Sequence, residues 1–167
     1  MRGAFVAVGL WTSLALSGCA PQGLETYQPR SADEAAVVAA IQKIPNGVKA
    51  GSVEMILQPY ADDVYVGNFQ KYLGVAGPSA ALSVTKADLA MIYNQVLRSA
   101  KKVSMEVKDF RVVSLTSDRA VVEASTELVF KYEVGRREQK QDAYRNGVTW
   151  RLRRTAAGWK IVEEIWQ

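Results

Sequence analysis

The sequence predicts an α+β domain: three helical segments in the first part of the chain, packed on one face of a cone-shaped, curved antiparallel sheet built from the second part. Three observations predict it. Apolar residues recur at helical spacing as far as Leu97. From Val103 onward the period changes to two. The strands are long and one slips in phase, which favours a twisted sheet standing off its helices. A length of 167 residues suits one domain with a sizeable core. Hydrophobic content of 49% against 23% charged residues fits a folded body.

Ser31-Ala32-Asp33-Glu34 has capping-box spacing, so a helix opens there and runs to about Ile44. Pro45-Asn46-Gly47 is expected to break it, because proline removes a backbone donor. A second helix is expected over residues 48–59, where Val53, Ile56, Leu57 and Tyr60 fall at i, i+3, i+4, i+7. Residues 64–66 read as a short strand and residues 67–83 as an irregular connection. Thr85-Lys86-Ala87-Asp88 opens a third helix, with Leu89, Ile92, Tyr93, Val96 and Leu97 on one face. Lys101 and Lys102 follow its C-terminal end, where the dipole favours cations.

The sheet follows. Val103, Met105 and Val107 alternate, then the phase moves to Phe110 and Val112, which places a bulge near Asp109. Ser117-Asp118 marks a turn. Along residues 119–134, Ala120, Val122, Ala124, Thr126, Leu128, Phe130 and Tyr132 share one side, with Glu123, Glu127, Lys131 and Glu133 on the other. The chain turns at 135–138 and returns with Tyr144, Asn146, Val148, Trp150 and Leu152 inward. A four-residue loop at 155–158 leads to the last strand, 159–166.

The first thirty residues read as an address. Arg2 is a positive start, and Ala4 to Leu16 is an apolar run too short for a membrane span but suited to a signal peptide. Leu16-Ser17-Gly18-Cys19 resembles a bacterial lipobox. The resemblance implies cleavage of residues 1–18 and acylation of Cys19 with a diacylglycerol and a third chain. Several acyl chains together give stable membrane attachment. Ala20 is not the aspartate that retains enterobacterial lipoproteins at the inner membrane, so the expected place is the outer membrane, facing the periplasm. Residues 19–30 hold the lipidated Cys and a Pro-containing tether, and residues 31–167 form the domain.

Composition removes several chemistries. The chain has no histidine and one cysteine. Without His there is no Ser-His-Asp or Cys-His system and no histidine-ligated metal. One Cys gives no internal disulfide and no CxxC pair. Asp62 and Asp63 read as turn residues rather than metal ligands, and no cofactor is expected.

Two stretches resemble the nuclear-transport-factor-2-like superfamily, which includes the SnoaL-like and ketosteroid-isomerase-like proteins and has a cystatin-like α+β fold. One is residues 52–63, SVEMILQPYADD, similar to the helix and "YADD" turn before that family's first strand. The other is residues 156–162, AAGWKIV, similar to its terminal hairpin. The resemblance covers about residues 33–166, and these are fold signatures rather than activity markers. The isomerase pattern's carboxylate base falls on Asn68, its oxyanion tyrosine on Ile44 and its protonated acid on Trp150. None of the three can do that chemistry. The missing histidine removes the family's dehydratase chemistry.

Pairing the last hairpin around 155–158 sets Trp150 opposite Glu163, the one carboxylate at inward parity on the final strand. A carboxylate beside an indole would be desolvated, as a general acid or base needs, but a pocket-edge glutamate that meets solvent or a basic neighbour is the favoured reading. Glu163 is therefore a weak catalytic candidate. Tyr60, Tyr65, Asn68, Tyr93, Tyr144, Asn146, Trp150 and Glu163 are expected to line the pocket. Their polar tips suit a small apolar ligand, or they are core aromatics with satisfied hydroxyls.

The basic run Arg136, Arg137, Lys140, Arg145, Arg151, Arg153, Arg154 is read as the solvated sheet face, with Glu123 opposite Arg151. No nucleic-acid partner is expected. Val121, Val129, Val162 and Trp166 would give that face apolar spots for a homodimer. The expected function is a lipid-anchored envelope module that binds a small apolar ligand or a partner protein without catalysis. The alternatives are an isomerase, lyase or hydrolase using Glu163 and tyrosines, and a structural assembly module acting through the outer sheet face.

Overall fold

Two helices and a first strand precede a third helix, and four long strands follow it. The computed structural model describes residues 22–69, 84–134 and 138–167. The signal segment, Cys19, most of the 67–83 connection and the side chains of Arg136, Arg137 and Lys140 lie outside the described residues. The elements are α1 (Ala32–Ala50), α2 (Val53–Leu57), β1 (Tyr60–Gly67), α3 (Lys86–Ser99), β2 (Lys102–Leu115), β3 (Arg119–Val134), β4 (Glu138–Thr155) and β5 (Gly158–Trp166). Among the described residues no helix is long and apolar enough to cross a membrane.

Helix α1 does not stop at Pro45. It runs to Ala50 with the proline inside it and ends on Gly51, whose φ of 66° is the left-handed conformation glycine adopts freely. Proline removes a single helical hydrogen bond, and Ile41, Ile44 and Val48, all buried, keep the face on either side of it in the core. Gly47 is there for contact. A Cβ on it would lie 2.6 Å from the Ile56 backbone nitrogen. The second helix is correspondingly shorter than expected, Val53–Leu57, capped by Ser52 accepting from the Met55 amide. Thr85 and Asp88 form the full capping box of α3.

The five strands lie in the order β1-β5-β4-β3-β2, with β1 parallel to β5 and every other pair antiparallel. In β2 the expected bulge is present: Asp109 has φ 51° and the register to β3 shifts between Lys108 and Arg111. A second bulge was not anticipated. Leu152 pairs with Ile161, but Arg151 pairs with Glu163, so Val162 is an extra residue on β5. From Glu163 onward every side chain therefore points to the face opposite the one strict alternation assigns. The β4–β5 turn is also tighter than expected, because Thr155 pairs with Gly158.

Part of the expected tether is folded onto the sheet. The Phe110 amide donates to the Gln22 carbonyl at 2.9 Å. Leu24, in a 3-10 turn, is buried. The Tyr27 ring stands edge-on to Phe110 with centroids 4.8 Å apart. Tyr27 Oη donates to Glu34 Oε1 at 2.5 Å, and the Arg30 amide donates to Glu34 Oε2 at 2.7 Å. Burial alone would raise the Glu34 carboxyl, but the bonds from Arg30 and Tyr27 outweigh it and hold it below the usual range.

Candidate functional site

The concave face between sheet and helices is where a site would form, and the carboxyl of Glu164 is buried there among the described residues. The Val162 bulge turns Glu164 inward and Glu163 outward. Glu164 is 0% exposed. Tyr60 Oη donates to its Oε2 at 2.5 Å and Trp150 Nε1 to the same oxygen at 2.8 Å. Trp166 Nε1 donates to Oε1 at 2.8 Å. The four side chains sit on β1, β4 and β5, so one carboxyl ties three adjacent strands together. Burial is the dominant influence on its acidity and pushes it up, against the three donors, which pull it down.

Glu163 is instead on the outer face, where its carboxylate meets Arg151 at 2.7 Å with the Glu163 side chain 33% exposed. The inward, desolvated carboxyl beside Trp150 that the sequence led us to expect exists, one residue further along. A signal for it was present: Ile161 and Trp166 are both core-sized and five positions apart, which strict alternation cannot bury on one face. The same slip takes Trp166 off the outer face, since it is buried at 1% exposure.

The other anticipated residues divide. Tyr60 and Trp150 are buried in the Glu164 cluster. Tyr93 is buried on α3. Tyr144 is half-buried and packs edge-on to Phe130 with centroids 5.7 Å apart. The half-buried Asn146 accepts from Thr126 Oγ1 through its backbone carbonyl at 3.3 Å. Tyr65 is 46% exposed, away from the interior. Asn68, in left-handed conformation at the end of β1, donates from Nδ2 to the Trp166 carbonyl at 3.0 Å. Ile44 is core.

The charged outer face is paired. Arg111 meets Glu123 at 2.5 Å, Arg145 meets Glu127 at 2.9 Å and Arg153 meets Asp63 at 3.2 Å. Arg154 does not belong to that face: it shares the side of buried Leu152 and Trp159, pairs with Asp33 of α1 and lies over the Trp159 ring. The expected Glu123–Arg151 pair does not form, because the β3–β4 register sets Glu123 opposite Thr149. Exposed pairs of this kind add little stability each.

An open groove of about 400 Å³ lies between the C-terminal turns of α1 and α3 and the start of β2. Val48, Leu97, Ala100, Val103 and Met105 give it an apolar floor, with Asn46, Lys101 and Lys102 at its border. None of the eight residues expected to line a pocket borders it.

The fold is that of the nuclear-transport-factor-2-like, cystatin-like proteins. A ketosteroid-isomerase-like protein from Erwinia carotovora atroseptica is 22% identical, with a TM-score of 0.55 over 78% of this chain and 92% of that one. A protein from Kribbella flavida reaches a TM-score of 0.67 at 14% identity, over 81% of this chain and 89% of that one. A nuclear-transport-factor-2-like protein with a cystatin-like fold from Novosphingobium aromaticivorans gives 0.59 at 14% identity, over 80% of each chain. No protein-family model and no curated protein matches the chain. At these identities the likeness is one of fold.

Proposed function

We propose that the chain is a lipid-anchored protein of the bacterial envelope, attached through Cys19 at the periplasmic side of the outer membrane, whose domain binds a small apolar ligand or a partner protein without catalysis. The observation that carries this reading is the enclosure of Glu164. A general acid or base must reach its substrate, and the inward carboxyl is closed off from solvent beneath Tyr60, Trp150 and Trp166. Its three donors fix three strands instead. The groove beside β2 has the volume of a small-ligand site and an apolar floor.

Native mass spectrometry of the protein purified from its own membranes, together with thermal unfolding across panels of lipids and metabolites, tests the reading. A co-purifying apolar molecule, a cross-linked envelope partner or a rise in Tm supports it. Absence of all three overturns it. Substrate turnover abolished by Glu164→Gln but retained in Asp62→Asn would establish an enzyme.

A further inference from the structure

We infer that the β2 edge of the sheet, with the strap of residues 22–27 laid along it, is the surface that meets the lipid bilayer. The inference rests on acylation of Cys19 and adds an orientation to it.

The strap is held from Gln22 onward: its carbonyl accepts from the Phe110 amide, Leu24 is buried, and Tyr27 is fixed by Phe110 and Glu34. Only Ala20 and Pro21 separate Cys19 from Gln22. Three peptide steps span at most about 11 Å. The head-group layer of one leaflet is itself roughly 5–8 Å thick. An anchor this short leaves the domain no freedom to stand away from the membrane or to turn over above it. β2 is an edge strand, and β1 is the opposite edge, four strand spacings or about 19 Å away. Val113 on β2 is 53% exposed and Tyr65 on β1 is 46% exposed. The first then sits at the head groups and the second well above them. The groove floored by Met105 and Val103 also borders strap residue Glu25.

The protein's one cysteine is consumed by lipidation, so an introduced cysteine is the single reactive thiol. Full-length Val113→Cys and Tyr65→Cys, purified lipidated and labelled with bimane, are reconstituted in phosphatidylethanolamine–phosphatidylglycerol vesicles that carry a head-group nitroxide lipid. The mass of the N-terminal peptide reports the acyl chains in the same samples. The expected result is quenching several-fold stronger at position 113 than at 65, and loss of that contrast when about ten Gly-Ser residues are inserted between Pro21 and Gln22. Equal or reversed quenching on acylated protein overturns the orientation and leaves the anchor standing. Absence of acyl chains on Cys19 overturns both.

Discussion

Glu164 shows how a single side chain can be needed for the fold and closed to catalysis. An ionised carboxylate taken out of water is costly unless donors surround it, and here a phenol and two indoles supply three. Burial still wins and raises its pKa above the unfolded value. A carboxyl raised on folding contributes stability that is fully present below the unfolded pKa, about 4.3. That contribution is lost as pH rises from there through the folded value, because over that interval the native state holds a proton the unfolded chain has released. Glu164→Gln cannot ionise. Its unfolding free energy relative to wild type should therefore rise as pH is taken upward from about 4. Urea titrations at a series of pH values measure this. A difference that stays flat would mean that the carboxyl titrates as it does in the unfolded chain.

Elements were legible from periodicity where one rule acted alone. The α3 capping box, the alternation of β3 and the slip at Asp109 follow directly from residue spacing. They failed where packing outweighed a local signal. Pro45-Asn46-Gly47 looks like a break, yet the helix continues because its apolar face carries on into the core and Gly47 lets α2 approach. The Val162 bulge has no glycine or polar marker, so its one-residue shift exchanged Glu163 for Glu164 and Trp166 for an outer-face residue. The α1–α2 contact yields a direct test. Gly47→Ala is a good helix substitution, worth up to about 1 kcal/mol by propensity, but its methyl would overlap the Ile56 backbone. The clash should prevail, with a net loss of about 1–3 kcal/mol in chemical denaturation. A stabilised variant would show that α2 does not sit this close.

At the scale of the molecule, the helices and the concave face enclose a core whose centre is polar but fully bonded. The candidate binding features lie at its margin, in the groove beside β2 and along the strap. The candidate site was therefore less legible than the fold: the resemblance in residues 52–63 and 156–162 placed the elements, while the groove is assembled from α1, α3 and β2, which no local pattern links. The inward carboxyl is a structural tie among β1, β4 and β5, and Glu163 is a surface ion-pair partner. Global unfolding by urea of Glu164→Leu beside Glu163→Leu tests it most directly. With the bonds from Tyr60 and Trp166 lost and the buried Trp150 donor left without its acceptor, at about 1–3 kcal/mol for that donor alone, Glu164→Leu should lose at least about 2 kcal/mol. Glu163→Leu should stay within about 0.5 kcal/mol of wild type. The reverse order, a costly Glu163→Leu and a tolerated Glu164→Leu, would mean that Glu164 does not hold these strands together.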